Sequence, residues 1–320
     1  MSGMRQRLAA LGGHLDGVAD PPDAGAMLRL LRTLYAVGRD DLPLGRLFEG
    51  HVDAMQIVSR YGSAQQREVL RRGAVLGVWN ADLPDDPLRL DGGRLTGGKS
   101  FASGAGILSH ALVSVDAAGG RQLLLIDLER APPAIDRSFW RVVGMQRSET
   151  HQVRWSGQAV GPADRVGRPG DYVREPWFSG GALRFAAVQA GGIAGLVDAT
   201  RDHLMATGRA DDPHQAGRLA RLYALGMAAA DAVRRAADGW FGDEVARLPL
   251  VAAARAAVYA AGGEAVLVAQ EAVGVSAMFV DHPLAARITD LSVYLRQPGP
   301  DAQRMRVGDA VAAGVLDVTL

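Results

Sequence analysis

The chain contains no cysteine, which excludes disulfides, thiol catalysis and cysteine metal sites and fits a reducing compartment. It has no net charge either. Its 35 basic side chains equal its 35 acidic ones, so nothing in the balance favours nucleic acid or a membrane surface as a partner. The seven histidines never fall within four residues of one another, and neither H-E-x-x-H nor a carboxylate cluster occurs, so no metal site is expected. There is no G-x-S-x-G, which leaves serine hydrolysis without support. The N-terminus shows no apolar leader and no apolar run reads as long enough to span a bilayer, so a cytoplasmic protein is expected. Aromatic residues make up only 6% of the 320 residues, against 40 glycines, a composition suited to closely packed helices.

What is present is organised around residues 251–297. Ala254, Val258, Ala261, Ala265, Val268 and Ala272 recur in alternating four- and three-residue steps, which places them on one helix face. Gly274, Ser276 and Pro283 break the period, and a second amphipathic run begins at Leu284. Leu183, Ala187, Ala190, Ala194 and Val197 keep the same step, as do Leu222, Gly226, Ala229 and Val233. With a final helix, these predict a C-terminal four-helix bundle over 164–320.

Residues 1–74 also read as helical. Asp23 can cap a helix through Met27, Leu30, Leu31 and Leu34; a second, after Pro43, carries Leu44, Leu47, His51, Met55 and Val58 on one face; Ser63 can cap a third. Between them, 75–163 holds short apolar or alternating runs, 74–81, 107–115, 122–128 and 151–157, with Gly119–Gly120 as a turn. This predicts a small β domain, and the whole chain a multidomain α and β protein. Gly93, Gly98, Lys99 and Ser100 match a phosphate-binding loop letter for letter, but no buried strand precedes them and no helix follows, so nucleotide hydrolysis is not expected.

The ordered motifs resemble the acyl-CoA dehydrogenase superfamily over roughly residues 40–310. Leu95, Gly97, Lys99, Phe101, Ser103, Gly104 and Ala105 match L-x-G-x-K-x-[WF]-x-[ST]-[NG]-A. Gly144, Met145, Ser148, His151 and Val153 fall in a second, imperfect motif, while Gln270, Gly274 and Ser276 fall on Q-x-x-G-G-x-G and Pro283, Leu284 and Asp290 on P-[VL]-E-R-x-x-R-D. The resemblance implies a shortened N-terminal helical domain, a central β-barrel-like domain and a C-terminal four-helix bundle. It implies FAD bound at a subunit interface, hence a homodimer or homotetramer. The substrate would be a small molecule, an acyl thioester or another small apolar compound.

The same resemblance assigns roles to residues. Phe101 would lie beside the flavin ring and Ser103 would bond near N5; without the flanking motif, both would read as a β-strand with a buried Phe. Trp79 and Asn80 stand where dehydrogenases have T-E-P, and W-N-A looks more like the dibenzothiophene monooxygenase branch. A strand end with a buried Trp accounts for them equally. Arg209, Gln215, Gln270 and Gly274 sit where the family reaches a neighbouring subunit's cofactor, although a solvated loop explains Arg209 and a helix C-cap explains Gly274. Gln297 takes the place of the catalytic glutamate, and an amide cannot accept a proton from carbon. Among nearby carboxylates, Asp281 reads as a cap, Asp290 as an ion-pair partner and Asp301 as a loop residue. The functional expectation is a flavin-dependent oxidoreductase acting on CH–CH groups but lacking that base. A flavin monooxygenase of the same fold, or a catalytically silent binding or structural partner, are the alternatives.

Overall fold

The protein is described here from a computed structural model, over residues 2–13, 15, 20–117, 119–296 and 299–319. It divides into two compact units. Unit 1 is Met1–Asp20, Arg46–Arg141 and Gln146–Phe178; unit 2 is Pro21–Gly45, Val142–Met145 and Ser179–Leu320. The helices are α1 (Ser2–Gly13), α2 (Ala24–Asp40), α3 (Leu42–Tyr61), α4 (Ala64–Arg71), α5 (Trp177–Gly180), α6 (Ala182–Ala206), α7 (Pro213–Gly239), α8 (Glu244–Val273), α9 (Pro283–Tyr294) and α10 (Pro300–Ala312). The strands are β1 (Leu76–Trp79), β2 (Arg89–Asp91), β3 (Arg94–Ala102), β4 (His110–Ala117), β5 (Gly120–Asp127), β6 (Ala134–Asp136), β7 (His151–Ala159) and β8 (Arg165–Val166).

Unit 1 is built on two four-stranded sheets, β1-β4-β5-β8 and β2-β3-β7-β6. All ladders are antiparallel except β1 with β4. Ala54, Ile57 and Val58 of α3 join Leu76, Leu112, Leu123, Leu125 and Val166 in one buried cluster, so the apolar helix face meets the apolar sheet face. The ring of His51 in the same helix is buried, and its Nδ1 accepts the Leu76 N–H at 3.1 Å. Burial pushes its pKa down to about 4, which keeps the ring neutral. Ser63 caps α4 in a full capping box with Gln66, as its position before AQQREVL predicts.

In unit 2 the periodic positions of α8, from Ala254 to Ala272, are all buried. Helix α2 packs on α6 through glycines. A Cβ on Gly191 would stand 2.0 Å from the Tyr35 carbonyl oxygen, and one on Gly38 would stand 2.2 Å from that of Val188. The two backbones touch, which no larger residue permits. Arg39 closes the contact with two bonds to Asp198, at 2.6 and 2.9 Å.

Three expectations change. Two helical stretches, Trp177–Ala206 and Glu244–Met278, are long and apolar enough to cross a membrane by length and composition. In the first, 72% of the apolar window is buried, and in the second 50%, as core helices of a packed unit would be. The cap of α9 is His282, whose Nδ1 accepts the Leu284 N–H, and not Asp281. Asp301 belongs to the first turn of α10 rather than to a loop.

Lys99, the chain's one lysine, is fully buried inside β3. Its three ammonium protons are all used: Asp82 at 2.6 Å, the Asn80 carbonyl at 3.1 Å and Ser114 Oγ at 3.1 Å. A lysine in mid-strand cannot serve a phosphate loop. Burial lowers its pKa to about 8, with Asp82 opposing the shift. An amine-reactive ester applied to the native protein should leave the Lys99 peptide unmodified and label it only after denaturation. Lys99→Met should cost about 1–3 kcal/mol, since it takes the buried ammonium donor from Asp82 Oδ1, the Asn80 carbonyl and Ser114, leaving Asp82 to Arg121. Mass spectrometry that finds Lys99 labelled in the native state as fast as an α-amino group would refute this burial.

Candidate functional site

In unit 1 the candidate residues gather at the end of β3. A regular strand would send Lys99 and Phe101 to the same face. Here the register with β7 shifts between Lys99 and Ala102, and Phe101 adopts φ +52°. Lys99 stays inside while the Phe101 ring turns out, 58% exposed. A positive φ is strained for an aromatic residue, and such outliers persist only where the surroundings hold them. The ring is held edge-on against Phe139 at 5.2 Å and Trp140 at 6.5 Å between centroids. Neither residue carries a sequence signal for this role; they come from the loop after β6.

Two residues on, Ser103 is buried and its Oγ accepts from Thr150 Oγ1 at 2.9 Å, which pairs in turn with Ser148 Oγ at 2.8 Å. Because Ser103 accepts, its own proton is left to donate. Trp79 is buried and lies against Trp155 at 6.3 Å; its Nε1–H donates to the Ser103 carbonyl at 2.9 Å. Trp79 therefore positions the serine turn rather than offering a surface itself. Asn80 follows it, exposed. Its Oδ1 accepts from Ser114 Oγ at 2.7 Å and its carbonyl accepts from Lys99 and from Arg121 at 3.0 Å. Burial alone would raise the Asp82 pKa, but hydrogen bonds from Lys99 and Arg121 carry it below the usual value, so this network stays charged. Trp79, Phe101 and Ser103 thus share one corner, with Asn80 on the charged network behind it.

A small cleft opens beside Ser103, lined by Arg46, Leu47, Gly50, Gly77 and Leu108. Arg46 donates to the buried Glu49 at 2.6 Å one turn on. Sequence reasoning missed this pair, because an i,i+3 arginine and glutamate on a helix read as ordinary surface charges.

In unit 2, the ion pairs Arg221–Glu264 at 2.7 Å and Arg218–Glu271 at 4.0 Å lay α7 antiparallel on α8. The start of α7 therefore meets the end of α8, and Gln215 comes to the same end as Gln270 and Gly274. Gln215 is buried and its Oε1 has no hydrogen-bond partner. Gln270 accepts the Gly274 N–H at its carbonyl, and Gly274 has φ 79° and ψ −157°, a conformation that only glycine adopts readily. Arg209 lies exposed in the turn before α7. Gln297, at the position of the family's base, lies outside the described residues. Asp290 is a backbone partner: its Oδ1 accepts the Met145 N–H, and Gly144 lies against the Thr289 carbonyl group.

No protein-family model matches the sequence, and neither does any curated protein. Solved structures do match. Dibenzothiophene monooxygenase TdsC from Paenibacillus sp. A11-2 superposes with TM-score 0.76 at 19% identity over 91% of this chain and 84% of that one. A structure of TdsC with FMN bound matches with the same score. Butyryl-CoA dehydrogenase from Megasphaera elsdenii gives 0.79 at 14% identity over 97% and 89%, and glutaryl-CoA dehydrogenase from Mycobacterium smegmatis 0.79 at 15% over 97% and 87%. The expected fold class is borne out: the chain has the fold that acyl-CoA dehydrogenases share with a flavin monooxygenase.

Proposed function

We propose that the chain is a flavin-dependent oxidoreductase that binds FAD where two subunits meet. The observation that carries the reading is the end of β3. A strained backbone turns Phe101 outward beside Phe139 and Trp140, and the Ser103 hydroxyl next to it is fed by Thr150 and left free to donate. A planar heterocycle needs a flat apolar wall and a donor at its edge, and these residues fit both needs. When bound, the flavin supplies the redox chemistry that no side chain here offers. The substrate is a small molecule, an acyl thioester or another small apolar compound.

Phe101→Ala should weaken flavin retention about tenfold or more, through lost apolar contact. Ser103→Ala should weaken it less, by roughly fivefold, the worth of about one neutral hydrogen bond. Flavin titration followed by visible absorbance reads both. Wild-type affinity in both variants, or no binding by the wild type, would remove the site from this corner.

The oligomer belongs to the same proposal. Tyr223, Leu267, Val275, Met278, Phe279 and Val280 leave apolar surface exposed along α7, α8 and the turn after α8, beside Gln270 and Gly274. Apolar exposure of this extent fits burial against a second copy. Light scattering at micromolar concentration should return two or four chain masses; a single chain mass would contradict it.

A second reading has its own support. The Trp79–Asn80 pair and the likeness to TdsC favour a monooxygenase, and Gln297 favours it by subtraction. General-base help is worth about two to four orders of magnitude, and a neutral amide gives none. Anaerobic mixing with a panel of straight-chain acyl-CoAs should therefore leave the flavin oxidised. Rapid bleaching would show that another carboxylate acts as base and restore the plain dehydrogenase. If Gln297→Glu alone creates bleaching, the pocket for a thioester is intact and only the base is missing.

A further inference from the structure

Two histidines meet in unit 2, each at a helix end. His203 stands in the last turn of α6, where its carbonyl accepts the Thr207 N–H at 3.0 Å. His282 is the N-cap of α9, which packs on α6. The rings lie 4.9 Å apart between centroids, with His282 Nε2 3.1 Å from His203 Nδ1. Both are half-buried, and among the described residues no carboxylate bonds to either ring.

The tautomers follow from one backbone donor. The Leu284 N–H can only donate, so His282 Nδ1, 3.1 Å from it, is the bare nitrogen and the ring proton sits on Nε2. That proton points to His203 Nδ1, which must accept, so the proton of His203 sits on its own Nε2. Two neutral rings satisfy both bonds. A third proton cannot be placed without loss. On His203 Nδ1 it faces the His282 Nε2–H. On His282 Nδ1 it faces the Leu284 N–H. Passing the shared proton across to His203 makes His282 carry its own on Nδ1, with the same result. A metal ion fails for that reason too, since coordination at Nε2 would drive the His282 proton to Nδ1.

The helix ends rank the two rings. The carbonyl pole of α6 favours a cation at His203 over one at His282, which faces the amide pole of α9. Burial, and then His282 and Arg209, hold the His203 pKa below the usual histidine value. No carboxylate offsets them: Asp202 is bonded to Arg201 at 2.7 Å, Glu271 at the end of α8 faces Arg218 at 4.0 Å, and Asp281 is exposed. On α9 itself, Arg287 turns to the Arg39 carbonyl and Asp290 to the Met145 N–H. The turn after α8, Gly274–Met278, carries no charged side chain.

We propose that His203 and His282 form an acid-sensitive latch, which fastens the first turn of α9 to the end of α6 at neutral pH and releases it when His203 takes a proton. A proton that breaks a bond in the folded chain, and none in the unfolded one, binds the folded chain more weakly. The latch is therefore whole above the unfolded histidine value, about 6.5, and is lost as pH falls below it. It needs neither a flavin nor a second copy.

Hydrogen exchange read by mass spectrometry on the purified full chain tests this. Amide protection over residues 284–288, corrected for the intrinsic rate at each pH, should fall about fivefold between about pH 7.5 and about pH 5, the worth of one neutral hydrogen bond. The first turn of α7, capped by the Asp212 carboxylate, should hold its protection over the same range. His203→Gln offers His282 an amide oxygen that does not titrate, so protection over 284–288 should stay level with pH. His282→Asn supplies an ordinary cap and should level it too. Equal wild-type protection at the two pH values, a matching fall at α7, or an undiminished fall in folded His203→Gln and His282→Asn would overturn the proposal.

Discussion

The structure of unit 1 depends on where one ammonium group is allowed to go. Lys99 has no route to water from mid-strand, so it must find its partners inside, and Asp82, Asn80 and Ser114 supply them. Asp82 is then fixed from two sides, by Lys99 and by Arg121. A buried pair of this kind is weak evidence of net stability, because desolvation offsets much of the attraction. Its effect is positional. With Lys99 held inward, a regular strand would bury Phe101 on the same side. The register shift after Lys99 is what releases the ring, and the strained φ of Phe101 is what the release costs. Trp79 then ties the following turn by its bond to the Ser103 carbonyl. The wall and the donor proposed for the flavin thus follow from one interior charge.

Unit 2 is held differently, by backbone contact. Gly38 and Gly191 let α2 and α6 approach until a single methyl group would collide with a carbonyl. Such contact fixes axial position more tightly than interdigitating side chains do, because there is no rotamer to adjust. A precisely held α6 matters for what it carries, since Gln189 on this helix donates to the Tyr294 carbonyl and Phe185 lies under the Arg255 guanidinium. The small-residue composition noted in the sequence is therefore a packing device.

Much of the fold was legible. The four-three period of α8 predicted its buried face residue by residue, and the capping serine and aspartate of α4 and α2 sit where their sequence positions put them. Much of the candidate site was not. A period of two cannot reveal a strand that breaks its own alternation, so Phe101 reads as buried unless the backbone angle is known. Phe139 and Trp140 come from a loop with no pattern. Histidine is not among the usual N-caps, so the role of His282 was given to its aspartate neighbour. Arg296 and Arg304 lie far from Tyr259 in the sequence, and only folding brings them to its ring.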